Sequence, residues 1–364
     1  MRAGTTAESP GSLRQRVEGL ALAVGFDLAG ATRAEPTAHT EFLRTWIARG
    51  YAGEMGYLER RLEERVDPRR LVAEARSIVA VGLVYDPGPR ADAGEPSGRV
   101  ARYAGGEDYH EVMWERLRAL EAGLSALASA PIVTRSYCDT GPVQEREFAA
   151  RAGLGWIGKN TCLIHPTLGS YVFLGVVLTD LDLGDGVAEP DHCGSCRACL
   201  DACPTDAFPE PYVLDATRCI SYTTIESRGA IDPALRAAHG DWIFGCDVCQ
   251  EVCPWNRRVR RAIPADRLGL RSRLQPRPEW VHPSLRWILD LDAERWREAT
   301  HKTALRRSRH RGLLRNALVV AGNVGRGELI PRLRAIAACD DALLAEHARW
   351  ALDRMAERGE REPG

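Results

Sequence analysis

The chain has 364 residues, 45% of them hydrophobic, and a formal net charge of −1, a size and composition that suit two or three globular domains. No run of about 18 or more apolar residues is present to span a membrane, and no basic head and apolar core mark a secretory signal. Eleven cysteines in such a chain, most of them in ligand spacing, point to the reducing cytoplasm and to metal rather than to disulfides.

The first 185 residues alternate between helical and strand patterns. Residues 12–24 and 36–49 are amphipathic helix candidates. Ser77 to Tyr85 is a nearly continuous apolar run rich in β-branched residues, which predicts a strand buried on both faces. Residues 86–98 carry Pro, Gly and charge without a period and read as a loop. Helical period returns over 108–127, with Val112, Leu117, Leu120, Leu124 and Leu127 on one side. A strand is predicted over 131–137, a helix over 143–152 and a second buried strand over 171–179, so the region reads as an α/β layer. Residues 184–191, rich in Gly, Asp and Pro, mark a boundary, and the segment from 192 to about 256 lacks long periodicity. Beyond Pro264 the chain is helical again. Residues 313–324, 328–338 and 342–356 have apolar spacings of three and four, similar to one and a half HEAT-type repeats, too few to stand alone. This end is expected to dock on the rest of the protein.

Charge is unevenly spread. Between Arg257 and Arg315 there are 17 Lys and Arg against 6 Asp and Glu, so the remainder carries −12. Such a basic stretch is either a solvated face or a surface for a polyanion such as nucleic acid.

Two cysteine runs dominate the middle of the chain. The first is Cys193-x-x-Cys196-x-x-Cys199-x-x-x-Cys203-Pro204, and the second is Cys246-x-x-Cys249-x-x-x-Cys253-Pro254. In two-cluster ferredoxins three closely spaced cysteines hold one [4Fe–4S] cluster and the fourth reaches the other. On that rule Cys193, Cys196, Cys199 and Cys253 hold one cluster. Cys203, Cys246 and Cys249 hold the second, which Cys219, free between the runs, completes. Structural zinc is the competing reading, but it prefers paired C-x-x-C sets. Cys138, Cys162 and Cys339 read as small apolar packers or bystanders.

Two further segments carry candidate chemistry. Cys138-Asp139-Thr140-Gly141-Pro142 follows a predicted strand and opens a helix, so Asp139 either caps that helix or faces a pocket. Gly153, Gly155 and Gly158 permit close backbone approach to something flat or bulky. Lys159 follows them, one of only two lysines beside 47 arginines.

Together these segments resemble the epoxyqueuosine reductase family. The resemblance runs over roughly residues 12–355. It rests on Met55-Gly-Tyr-Leu58, Arg99-Val-Ala-Arg-Tyr-Ala104, Asp108-Tyr-His110, Tyr137-Cys-Asp-Thr-Gly-Pro-Val143, Gly155-Trp-Ile-Gly-Lys-Asn-Thr161, Gly169-Ser-Tyr-Val-Phe-Leu-Gly175, both cysteine runs and Cys219-Ile-Ser-Tyr-Thr-Thr-Ile-Glu226. It implies a cobalamin-binding α/β domain (1–186), a ferredoxin-like domain with two [4Fe–4S] clusters (187–260), and an Arg-rich linker with a HEAT-like all-α domain (261–364). It implies reduction of epoxyqueuosine to queuosine in a tRNA anticodon loop, with electrons passing through the clusters to cobalamin. Asp139 is the implied proton donor, with a pKa expected to be raised by burial. Arg60, Arg102, Lys159, Ser170 and Tyr222 are implied cobalamin contacts. The expected partners are the tRNA, gripped by the basic stretch and helical end, and an external one-electron reductant such as flavodoxin or ferredoxin. A cytoplasmic monomer is expected. Two rivals are a corrinoid reductive dehalogenase, which would be expected to carry a twin-arginine signal, and a non-enzymatic ferredoxin-like electron carrier, which would have no use for the large first domain.

Overall fold

A computed structural model describes residues 12–85, 88, 97–257 and 263–360. Most of the expected loop over 86–98 therefore lies outside the described residues, as do Arg258, Arg260 and Arg261 of the basic stretch. Among the described residues the strands are β1 (Leu28–Arg33), β2 (Ser77–Val84), β3 (Arg99–Val100), β4 (Thr134–Tyr137), β5 (Trp156–Ile157), β6 (Leu163–Ile164), β7 (Val172–Thr179) and β8 (Trp242–Phe244).

The first helix, Leu13–Ala23, begins at a capping box in which Ser12 and Gln15 satisfy each other's backbone N–H. The central sheet has the order β1-β2-β7-β4, and every neighbouring pair is antiparallel. The first domain therefore mixes helices and strands as expected, but without the parallel pairing that an alternating α/β reading suggests. Its apolar runs have another cause. Val79, Val81 and Leu83 of β2 meet Val17, Met113, Leu117 and Leu120 from the helices Leu13–Ala23 and Tyr109–Leu127 on one face. Ile78 and Ala80 meet Phe148 and Ala149 of the helix Glu145–Arg151 on the other. A strand covered on both faces is apolar at every position whatever its direction.

Strand β1 has no counterpart among the sequence expectations. Ala29, Gly30 and Ala31 have weak strand propensity, and packing explains their presence. A Cβ on Gly30 would stand 2.4 Å from the Ala152 carbonyl oxygen, so this edge must stay small.

Beyond the cysteine segment the chain returns to the first domain before it leaves again. Leu270 and Leu274 join the apolar core beneath β2, and Arg271 pairs with Asp27 at 2.8 Å. The last helices, Arg309–Val324, Ile330–Ala337 and Ala342–Glu357, pack on one another. Asp341 caps the last of them. Their core is not private: Leu313, Leu318, Leu333 and Met355 share it with Ile225, Ile243 and Phe244 of the cysteine segment. The helical end thus docks on the cysteine segment through a continuous apolar interior. No helix among the described residues is long and apolar enough to cross a membrane.

Candidate active site and cysteine centres

All eleven cysteines are free thiols. Cys193, Cys196, Cys199 and Cys253 line one cavity, which Trp255 and Lys159 help to close. Cys196 is exposed there and Cys253 is buried. The Trp156 ring nitrogen is buried without a nitrogen or oxygen partner and is directed at the Cys193 sulfur, a donor suited to a sulfur-rich guest. The thiols of Cys219 and Cys246 are pushed up by burial first and that of Cys249 by Cys162 and burial, and the charges of neighbours in the set, Cys203 on Cys219 and Cys246 and Cys219 and Cys246 on Cys249, add to the rise. Among the described residues no three Cys, His, Asp or Glu side chains converge as ligands of a single ion. The donor chemistry in each set is four thiols, which fits a [4Fe–4S] cluster. Cys138 is a buried packer, 1% exposed, and Cys339 is exposed. Cys162 is half-buried and lies close enough to Cys249 for the two thiols to shift each other's pKa, that of Cys162 down and that of Cys249 up.

The five residues singled out as cofactor contacts are scattered, and four are committed elsewhere. Lys159 Nζ donates to the Gly194 and Cys196 carbonyls at 2.6 and 2.8 Å, closing the loop of the first cysteine set. Arg102 reaches into the second run, 3.5 Å from Glu251 and 4.0 Å from Asp247. Ser170 donates to Gln250 Oε1 at 2.8 Å and takes a bond from Asn256 at 2.9 Å. Tyr222 Oη accepts the Glu54 N–H at 2.6 Å. A Cβ on Gly53, whose φ is +55°, would stand 2.2 Å from that same oxygen. Arg60 is exposed and has no ion pair among the described residues. The glycines before Lys159 approach the chain itself rather than a flat ligand, since a Cβ on Gly155 would lie 2.2 Å from the Ile164 carbonyl oxygen.

Asp139 does not cap a helix. The helix Glu145–Arg151 starts at Gln144 without a side-chain cap, and Asp139 sits in a left-handed conformation with φ +58°, a sparsely populated state for a residue with a Cβ. Its backbone N–H donates to Glu145 Oε1 at 2.9 Å. Its Oδ2 accepts the Tyr109 hydroxyl at 2.8 Å and lies 3.5 Å from His110 Nε2. The other ring nitrogen of His110 is 2.7 Å from Asp108 Oδ1. An imidazole is thus held between two carboxylates, with Tyr109 stacked on it at 4.1 Å between ring centroids.

The Asp139 side chain is 66% exposed, yet protein crowds around it, so it is a reachable carboxylate in a recess. Burial pushes its carboxyl up, but hydrogen bonds from His110 and Tyr109 and the nearby Arg307 outweigh it, and the net direction is down. The expected upward shift is therefore not found at Asp139. Burial pushes His110 down, but Asp108 and Asp139 outweigh it and lift the imidazole to about 9. Glu145 is the raised carboxyl, pushed to about 7 by burial and by the charge of Asp139. At neutral pH the pair therefore carries its proton on His110. Tyr109 and His110 stood in a quoted motif without a role, and neither residue type nor spacing said that they would meet Asp139.

Arg307 approaches the recess from the basic stretch while bound to Glu226 by two bonds of 2.9 and 3.1 Å. Other arginines of that stretch are consumed by the fold. Arg273 holds Glu107 and Glu115, Arg311 holds Asp341, and Arg315 is buried. Arg267, Arg286, Arg297, Arg306 and Arg309 are exposed with no side-chain partner among the described residues. The basic face is therefore sparser than the residue count suggests.

Two four-thiol sets, in a chain that also carries the accessible carboxylate of Asp139, define the class of an iron–sulfur protein. Comparison with known proteins narrows the class. Residues 192–256 match the family model described as 4Fe-4S double cluster binding domain, and residues 65–140 match Epoxyqueuosine reductase QueG, DUF1730. An epoxyqueuosine reductase of Pseudomonas aeruginosa is 38% identical, covering 96% of each chain. One of Xanthomonas campestris is 37% identical, covering 97% of this chain and 99% of its own. Among solved structures, an epoxyqueuosine reductase with an epoxyqueuosine-modified tRNA stem loop superposes with a TM-score of 0.85 at 32% identity, covering 94% of this chain and 90% of that one. The chain belongs to the epoxyqueuosine reductase family and is an oxidoreductase.

Proposed function

We propose that this protein reduces epoxyqueuosine to queuosine within the anticodon loop of a tRNA. The observation that carries the proposal is the joining of family membership to a recess where Asp139, Tyr109 and His110 meet beside the cysteine segment. Loss of the epoxide oxygen as water takes two electrons and two protons and leaves a carbon–carbon double bond. Two [4Fe–4S] clusters, which Cys193, Cys196, Cys199 and Cys253 and Cys203, Cys219, Cys246 and Cys249 would hold, would supply one-electron carriage from an external donor. Cobalamin, when bound, supplies a cobalt able to gather two electrons for the strained C–O bond.

The residues near Asp139 suit such a guest. Arg65 Nε, near Glu145 and Tyr57, is buried without a hydrogen-bond partner, a polar group left over for an amide-rimmed ligand. Arg60 and Arg65 are the side chains we assign to hold it. Arg102, Lys159, Ser170 and Tyr222 instead support the cysteine loops and the Gly53 turn.

Asp139 delivers protons to the oxygen that departs. It is restocked by His110, which Asp108 orients and keeps charged. When substrate fills the recess and excludes water, the carboxylate loses solvation and its affinity for that proton rises. The tRNA is held by its phosphates on the exposed arginines, Arg306 and Arg309 nearest the recess, with the HEAT-like helical end behind them. The base must leave its stack to reach the recess.

The test is turnover. Anaerobically reconstituted protein, given cobalamin, a reduced donor and epoxyqueuosine-containing tRNA, should yield queuosine by nucleoside mass spectrometry. No queuosine from protein that carries eight irons and bound corrin would overturn the proposal.

A further inference from the structure

The second cysteine set depends on a residue far outside the cysteine segment. Arg315, in the helix Arg309–Val324, is 1% exposed. Its guanidinium donates to the carbonyl oxygens of Thr223 at 2.5 Å, Ser227 at 2.9 Å and Gly229 at 2.7 Å. Its Nε and one terminal nitrogen also donate to Asn316 Oδ1 at 3.1 and 2.8 Å. Asn316 in turn donates to the Thr224 and Ile243 carbonyls, both at 2.8 Å. Among the described residues no carboxylate bonds this cation, and burial pulls its pKa down to about 10. A buried charge without a counter-ion is costly, so its geometry calls for a role.

The carbonyls it gathers identify that role. Thr223 and Thr224 belong to the short helix Ile220–Ile225, which begins directly after Cys219. Ile243 lies in β8, three residues before Cys246. Cys219 is the N-cap of that helix, so the N–H groups of its first turn, Ser221 and Tyr222, are the backbone donors beside the Cys219 thiol, and hydrogen bonds to ligating sulfurs are among the factors that set a cluster's potential. We propose that Arg315 is a positioning residue for the second cysteine set, fixing the turn that presents Cys219 with its N–H donors and so holding up the potential of the cluster bound there. The inference rests on the reading that this set holds a cluster.

The experiment is a redox titration followed by electron paramagnetic resonance on anaerobically reconstituted protein, with iron counted beforehand. Arg315→Lys keeps the charge but loses the fork of donors. It should lower the midpoint potential of one cluster, alter that cluster's signal and leave the other unmoved. Asn316→Ala should do the same to a smaller degree, and it decides the matter if Arg315→Lys does not fold. Asn323→Ala is the control on the same helix, because Asn323 holds the Arg236 and Gly240 carbonyls at 2.8 and 2.9 Å, away from any cysteine. It should cost stability without moving either potential. Fully loaded Arg315 and Asn316 variants with both potentials unchanged, or equal shifts in the Asn323 control, would overturn the inference. Wild-type protein that cannot hold eight irons would instead remove the cluster reading on which it rests.

Discussion

The two cysteine sets are built in different ways. Three members of the first set come from one run of seven residues, with Cys196 exposed at its surface. The second set draws Cys203 from one run and Cys246 and Cys249 from the other, with Cys219 between them. Its supports are long-range, reaching Arg102 and Ser170 in the first domain and Arg315 and Asn316 in the last. The first set has one exposed member and one buried one, Cys196 and Cys253, whereas all four members of the second are half-buried. The contrast also separates what a local motif specifies from what tertiary structure must supply.

The strongest way to break the comparison is to remove the odd ligand. Cys219→Ala should reduce iron from about eight to about four per chain and abolish turnover, as measured by iron analysis and nucleoside mass spectrometry. Full iron content in that variant would remove Cys219 from the ligands. Next in size is Asp139→Asn, which should lower turnover about 10²- to 10³-fold while both clusters remain. Undiminished turnover there would take Asp139 out of the chemistry.

The proton path gives a smaller, pH-dependent effect. His110 is raised from its ordinary value to about 9, so its proton is present below that pH and lost above it. The rate should therefore fall about tenfold per unit once pH passes 9, and His110→Gln should erase that limb. The same shift contributes to folding stability: its contribution is full below the ordinary imidazole range and disappears as pH rises through 9. Smallest is the effect of single exposed charges. Replacing both Arg306 and Arg309 with Ala should weaken tRNA binding and reduce the slope of log affinity against log salt by about 1.4 to 1.8. Arg273→Ala, which removes one positive charge from an internal ion pair, should leave that slope unchanged.

Much of the architecture was legible because it is repetitive or chemically peculiar. Ser77–Val84 and Val172–Thr179 announce themselves by nearly continuous apolar runs, and Tyr109–Leu127 does so by its spacing. The direction of the strands was not legible, because double coverage gives the same composition in parallel and antiparallel sheets. Strand β1 was hidden for the opposite reason, its Ala and Gly being demanded by a close neighbour rather than by strand preference. In the recess, Asp139 stood out by its position after a strand, but its pKa direction depends on His110 and Tyr109, which arrive from the start of another helix. The arginines divide in a comparable way. Sequence counts them all alike, and only the fold tells that Arg271, Arg273 and Arg315 are spent inside while Arg306 and Arg309 face solvent.

The central claim is that eight thiols in two sets hold two cubane clusters. Mössbauer spectroscopy of ⁵⁷Fe-reconstituted protein, paired with an iron count, tests it most directly. About eight irons per chain, all in [4Fe–4S] environments, is the predicted result. A single cluster in the wild-type chain, or thiols occupied by isolated metal ions, would contradict it.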